Sequence, residues 1–405
     1  SKLNIFSITG GIITTVGIVF WIVISFFNIA IFSENETFPS IAIIPFENKG
    51  VDEDEFYAYS ITSEIVSNIT NSGLIRVASL KDVERMAYKS FDNLDLSEKL
   101  FVRYICQGTL WKKDEKFILS IEVFDKEQSS IIFSKNWEQT WSELPQINNL
   151  ISKNIFQTLD IQSNQIVLSQ NNYNPQAYEY FLRAKYIFVT RKTVEDMKIS
   201  RDLLVKSIDI DENLLIAKNF LAWSYFKTAD YKKSESIYIE NRKQAIKNNN
   251  SIEEAIAING IANILSRKGD YQNALDYYKQ ALEIFNELNN KYWSAVLLQN
   301  LGSLYSDLDN YDLALDYYLE SYKLCKDLND EHALGAIYFA LGNYSYNIDE
   351  NEKALEYFNK SYELAVKLED KTSVSKCLGA IGNIYIYKDV DKSMDYFSQS
   401  LHISE

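Results

Sequence analysis

The sequence has few of the side chains on which catalytic and metal sites depend. Its 405 residues include only two histidines and three cysteines. Neither His332 nor His402 has a second ligand at a spacing typical of metal sites, and no glycine-rich phosphate loop or nucleophile elbow follows a predicted strand. The odd number and wide separation of the cysteines exclude a disulfide framework and a spaced zinc site. We therefore expect no catalytic residue, no metal site, no cofactor and no enzyme activity within these residues.

The chain also has fewer positively than negatively charged side chains. The chain has 41 Lys and Arg against 56 Asp and Glu, which gives a net charge of -15. Binding to nucleic acid requires a basic stripe that releases counterions from the phosphates, and no such cluster occurs here. The composition therefore excludes nucleic acid as a partner.

The first part of the chain lacks charge altogether between residues 3 and 32, where Ile, Val and Phe predominate. A run longer than the ~20 residues that cross a bilayer predicts a transmembrane helix within an anchor segment, 1–36. The alternative is a signal peptide, whose apolar region is only about 7–15 residues long. Lys2 before the run and acids after it predict that residues after about 33 are periplasmic. We expect a single-pass protein of a bacterial inner membrane.

Small residues recur along this predicted span. Ser7, Gly10, Thr14 and Gly17 fall on one helix face, where they would let two spans approach closely and form a homodimer. The alternative is that they have no partner, because small residues are common in any membrane helix.

Residues 37–162 alternate between strand and helix patterns and predict a small α/β domain with a mixed sheet. We expect strands at 41–46, 74–78, 102–111, 116–125 and 130–137, with the last three forming a meander. The strand at 116–125 alternates apolar and polar residues, so helices should cover one face of the sheet. Gly108 lies within a predicted strand, which favours a close backbone approach or a bulge over a binding site.

The order of these residues resembles the TolB amino-terminal-like domain of bacterial signalling proteins. The matching segments are 41–48, 56–58 with Thr62 and Glu64, 75–77, 87–89 and 102–110. Tyr59-Ser60 and Gln107 depart from the family pattern, which usually has Asp-Gly and an acid at these positions. The resemblance implies a membrane-anchored signalling protein in which a cyclase, kinase or winged-helix domain precedes residue 1.

After a linker at 163–174, the chain repeats with a period of 40 residues from 175 to 405. One repeat position is occupied by Gly302, Gly342 and Gly382, and another by Ala274, Ala314 and Ala354. Within a unit the small residue is followed sixteen positions later by an aromatic ring, as in Gly302 and Tyr318. This pattern resembles the paired helices of tetratricopeptide repeats. We expect an all-α solenoid of about six units, the last truncated.

The first helix of each repeat is expected to line a concave groove. Nine side chains project onto it: Asn219, Trp223, Asn259, Asn263, Gln299, Ser303, Phe339, Asn343 and Asn383. An amide can both donate to and accept from a peptide backbone, so the groove predicts binding of a protein or an extended peptide. The alternative is that these asparagines only reflect an Asn-rich chain.

Together these patterns predict a protein-interaction module that serves as the extracytoplasmic sensory or regulatory arm of a bacterial signalling protein. The alternative function is a constitutive envelope scaffold without a signalling output.

Overall fold

A mixed sheet of six strands forms the centre of the α/β region. Its strands are β1 (Ser40–Ile43), β2 (Glu47–Asn48), β3 (Arg76–Val77), β4 (Tyr104–Lys113), β5 (Lys116–Asp125) and β6 (Ser130–Thr140). The strand order is β3-β1-β4-β5-β6, and β2 extends the sheet by pairing with β4. The pairs made by β1 and β2 are parallel, whereas β4, β5 and β6 form an antiparallel meander. The computed structural model describes residues 38–161, 173–328 and 330–404.

Four helices pack on the two faces of this sheet: α1 (Glu55–Ser72), α2 (Leu80–Arg85), α3 (Asn93–Lys99) and α4 (Leu144–Thr158). One face shares a core with α1 and α4, and the other face, near β1, packs against α2 and α3. Along β5 the alternate residues Phe117, Leu119, Ile121 and Val123 are fully buried. The period-two pattern of this strand therefore predicted the buried face correctly.

Gly108 lies at a close approach of two strands. A Cβ at this position would lie 2.4 Å from the backbone oxygen of Ser120 on β5. No side chain fits there without moving the backbone, so the structural role expected for Gly108 is confirmed.

In the described part of the chain after residue 173, twelve helices follow in six consecutive pairs. They are α5 (Pro175–Thr190), α6 (Val194–Ile210), α7 (Leu215–Lys227), α8 (Tyr231–Lys247), α9 (Ser251–Lys268), α10 (Tyr271–Glu287), α11 (Lys291–Asp307), α12 (Tyr311–Asp327), α13 (Glu331–Asn347), α14 (Asn351–Lys367), α15 (Lys371–Tyr385) and α16 (Val390–Ser404). The turns repeat as strictly as the helices. Asn289 and Glu369 adopt positive φ angles, and each is followed by an Asn or Asp that caps the next helix.

Small residues and rings fit together within each pair as the sequence predicted. A Cβ at Gly302 would lie 2.7 Å from the ring of Tyr318, and one at Gly342 would lie 2.5 Å from the ring of Phe358. The hydroxyl of Ser321 also donates a 2.8 Å hydrogen bond to the backbone oxygen of Ala295, tying the second helix to the first. The predicted helix-packing positions are therefore confirmed.

The first helix pair of the solenoid shares its core with the sheet. Apolar side chains form one continuous cluster from Ile41 on β1, through Ile65 on α1, to Phe181 on α5 and Leu221 on α7. The buried hydroxyl of Ser60 on α1 donates a 2.7 Å hydrogen bond to a backbone oxygen of α5. The α/β region and the solenoid belong to one compact unit, Pro39–Glu405.

A second contact joins the solenoid to the α/β region through the amino-terminal ends of α11 and α15. The amide of Asn290 donates a 2.7 Å hydrogen bond to the backbone oxygen of Asn71, and the indole of Trp293 donates one of 2.8 Å to the side-chain oxygen of Asn71. Further along, Arg85 and Asp370 form an ion pair of 2.9 Å. The solenoid thus meets the α/β region at its first repeat and again at later repeats.

The predicted fold class and location need a correction. Among the helices that the structure describes, none has the length and apolar character needed to cross a bilayer. By this finding, the predicted transmembrane helix is wrong. So is the predicted location as a single-pass inner-membrane protein that is periplasmic after residue 33. The predicted span, 3–32, and its contact face of Ser7, Gly10, Thr14 and Gly17 lie outside the described residues. The predicted mixed sheet and helical solenoid are confirmed. The domain boundaries stay predictions.

Gly73 and Gly269 provide a matched test of the second contact. Both end a helix at a positive φ, of 66° and 79°, but a Cβ at Gly73 would lie 2.6 Å from the Cα of Asn290, whereas one at Gly269 would have no described atom within 4 Å. We expect Gly269→Ala to lower the free energy of unfolding by about 1–2 kcal/mol. Gly73→Ala should lower it by at least about 1 kcal/mol more, because the contact must also move apart. Urea unfolding measures both, and equal losses would contradict the tight packing.

Candidate functional site

A cavity of about 1040 Å³ separates helix α1 from the inner faces of the first repeats, and we call it the chamber. Its α/β wall includes Glu64, Ser67, Asn68, Asn71 and Asn148, and its solenoid wall includes Tyr173, Tyr178, Lys185, Asn219, Phe220, Trp223, Glu253, Asn263 and Trp293. This volume reaches the upper end of the usual range for ligand pockets. The wall mixes aromatic rings with amides, a composition that suits a polypeptide.

The chamber brings together four of the nine predicted groove residues, namely Asn219, Trp223, Asn259 and Asn263. The others, Gln299, Ser303, Phe339, Asn343 and Asn383, do not line it. Ser303, Asn343 and Asn383 are exposed further along the solenoid, and Phe339 packs with its ring centroid 5.4 Å from that of Phe358. A binding role for all nine residues stays a prediction.

Asn219 is engaged in a way that the sequence did not indicate. This residue is 6% exposed, and its amide nitrogen donates hydrogen bonds of 2.7 Å to the carboxylate and 3.1 Å to the backbone oxygen of Glu253. Its side-chain oxygen has no hydrogen-bond partner among the described residues. A buried hydrogen-bond acceptor without a partner is rare, because it loses its hydrogen bonds to water and gains none in return, which costs free energy.

Glu253 is a site residue that sequence analysis missed. It lies in the first turn of α9, where an acid is expected simply because it favours a helix start. A weaker signal was available in the repeat, since the equivalent position one period later is Trp293, which also lines the chamber. Burial raises the pKa of Glu253 to about 7; the bond from Asn219 opposes this shift, and the charge of Glu64 adds to it.

Two further polar pairs connect the chamber walls. Lys185 on α5 pairs with Glu64 on α1 at 2.5 Å, and both side chains are largely buried. Asn148 on α4 donates its amide to the hydroxyl of Tyr178, while the side-chain oxygen of Asn148 has no hydrogen-bond partner in the part of the chain that the structure describes. Two residues of the chamber wall, one on each side, therefore have a buried amide oxygen with unused accepting capacity.

A second cavity of about 740 Å³ lies at the sheet, lined by Tyr59, Glu84, Tyr88, Gln107 and Glu122 among others. It contains Tyr59 and Gln107, two of the positions at which the sequence departs from the TolB pattern. Burial, followed by the charge of Glu84, raises the pKa of Tyr59. Of the unpartnered buried polar atoms found in the described residues, none belongs to this wall. The chamber is therefore the stronger candidate site.

The raised pKa of Glu253 predicts a pH-dependent effect on stability. The native carboxyl holds its proton more tightly than the unfolded one, whose pKa is near 4.5, so stability falls as the pH rises from 4.5 through 7. Glu253→Gln removes this loss, which amounts to at most about 3 kcal/mol at high pH. We expect the variant to be more stable than the wild type at pH 8. At pH 5 the difference in stability between the two should be much smaller. Unfolding measured at both pH values, with Glu254→Gln as the control, tests this; a gain independent of pH would contradict it.

Comparison with known proteins supports the helical repeats. A family model described as tetratricopeptide repeat matches residues 213–287 and 253–327. The chain is similar to a protein of Rhizobium meliloti (strain 1021) named "Putative adenylate cyclase 3", with 22% identity over 187 residues. That match covers 44% of this chain and 31% of the relative, so the chain spans less than a third of the relative's length.

A solved structure with tetratricopeptide repeats has a similar fold. A signal transduction ATPase with numerous domains from Pyrococcus horikoshii, which has a tetratricopeptide repeat sensor, has a TM-score of 0.50 and 17% identity, covering 65% of this chain and 43% of that one. A Rap protein complexed with competence and sporulation factor has a TM-score of 0.48 and 18% identity, covering 64% and 72%. The TolB resemblance of residues 37–162 stays a prediction. The chain carries tetratricopeptide repeats, a type of repeat consistent with protein–protein interaction.

Proposed function

We propose that this chain is a protein-interaction module that holds an extended segment of a partner protein in the chamber. The observation that carries this proposal is the presence of unpartnered amide oxygens of Asn148 and Asn219 on opposite walls. An extended peptide offers a backbone N–H at every residue except proline, so it can satisfy acceptors on both sides. Stacked repeats commonly use such concave surfaces for binding.

The position of the chamber supports a regulatory role. A segment held there would contact α1, and the opposite side of α1 packs into the core of the sheet. Occupancy of the chamber would therefore bear directly on the α/β region, which we propose is a TolB-like domain. The similarity to a protein named as an adenylate cyclase supports a place in a signalling protein.

Filling the chamber tests the proposal. Ser67 is a half-buried residue of α1 on the chamber wall, and Ser236 is an exposed residue on the outer helix α8. A phage-displayed library of linear twelve-residue peptides is selected on the full chain, and the binders are measured by fluorescence polarisation. We expect Ser67→Trp to weaken binding about tenfold or more, because a large ring takes up the space that the peptide needs.

Ser236→Trp is the matched control and should bind the peptides as the wild type does. Circular dichroism and thermal unfolding establish that both variants retain the fold. If the selection yields no peptide whose binding Ser67→Trp reduces, the chamber is not a peptide site.

A further inference from the structure

We propose that the chamber recognises a basic side chain, Lys or Arg, of the bound segment through the carboxylate of Glu253 and the side-chain oxygen of Asn219. This inference rests on the proposed function, because it concerns the segment that the chamber holds. It adds the chemical class of that segment and the side chains that select it.

The two cations on the chamber wall leave Glu253 unpaired, because Lys185 pairs with Glu64 and Arg267 lies fourteen positions further along the helix of Glu253. Of the three carboxylates on the chamber wall, Glu64 is paired with Lys185, and Asp211 accepts hydrogen bonds from the backbone N–H groups of Asn174 and Asn213. Within the described residues, no Lys or Arg pairs with Glu253, and its carboxylate accepts only from Asn219. A single neutral hydrogen bond does not replace the hydration that a buried carboxylate loses, so this group favours a cation from the ligand.

Asn219 indicates that the ligand group bound beside it must be a hydrogen-bond donor. Its amide nitrogen is already committed to the carboxylate and the backbone oxygen of Glu253. What remains is the side-chain oxygen, which accepts and cannot donate. The two residues together form a pair of acceptors, which an ammonium or guanidinium group satisfies with its several N–H donors and which an acidic or purely accepting group does not.

The aromatic wall suits the stem of a basic side chain. On the chamber wall, Phe220 follows Asn219 directly and Trp223 lies one helical turn beyond it, with their ring centroids 5.5 Å apart. Tyr173 lies near enough for the charge of Glu253 to add to the rise in the pKa of its phenol. Lys and Arg pack their methylene groups on apolar surface while the charged end reaches a polar partner, and aromatic faces attract the cation.

The peptide selection described above supplies the test. Among peptides whose binding depends on Ser67, we expect Lys or Arg to be enriched at one position, and replacement of that residue by Gln to weaken binding. Glu253→Gln should weaken the same peptides about tenfold or more, because it removes a charge-assisted hydrogen bond from a buried site. Glu254→Gln is the control, because it removes the same charge from the adjacent residue. The carboxylate of Glu254 lies 3.9 Å from the guanidinium of Arg242, and neither residue lines the chamber.

Proton release gives a second readout that a merely structural role would not produce. The groups facing Glu253 are Glu64, Tyr173 and Asn219, with Lys185 beyond Glu64. A bound cation favours the charged carboxylate, so near pH 7 the wild type should release about half a proton per peptide. Titration calorimetry in two buffers of different ionisation enthalpy measures this release, which should vanish in Glu253→Gln.

The outcomes separate the two proposals. Basic enrichment together with loss of affinity and of proton release in Glu253→Gln supports the inference. Peptides that Ser67→Trp blocks but that lack a basic residue, or that bind Glu253→Gln equally well, overturn the inference and leave the proposed function standing. A selection without Ser67-dependent binders overturns both.

Discussion

The packing of helix α1 between the sheet and the first repeat is the constraint on which the rest of the molecule depends. Ile61, Ile65 and Ile69 are fully buried on this helix, and they belong to a cluster that continues into α5 and α7. A solenoid exposes an apolar face at its first repeat unless something covers it. Here the α/β region provides the cover, so the sheet and the first repeat share one core.

This shared core also fixes the chamber. One wall is α1 itself, and the other consists of helices whose first member, α5, is joined to α1 by the Lys185–Glu64 pair. The contact of Asn290 with Asn71 holds α1 to α11 on the far side of the cavity. With both sides held, little conformational freedom remains to be lost when a ligand binds, which favours affinity. These two polar contacts therefore hold the walls of the chamber in place on both sides.

The parts of the structure that repeat could be predicted from the sequence, and the chamber could not. The alternation in β5 and the fit of Gly302 to Tyr318 follow from the local spacing of residues in the sequence. The chamber instead depends on partners such as Asn71 and Asn290, which are 219 positions apart. Asn263 and Asn343 hold similar repeat positions, yet only Asn263 lines the chamber. Periodicity identifies the inner face of a solenoid but not which part of that face another region covers.

The capping residues show how one local requirement takes on different long-range roles. Asn290 and Asp370 both accept a backbone N–H of the helix that follows, and either residue type serves this purpose equally well. Beyond the cap they differ: Asn290 donates its amide to a backbone oxygen of α1, whereas Asp370 offers a carboxylate to Arg85. Exchanging the two residue types would preserve both turns, but it would remove the donor at one contact and the charge at the other. The period of the sequence thus sets the turn, and the choice between Asn and Asp sets how the solenoid meets the α/β region.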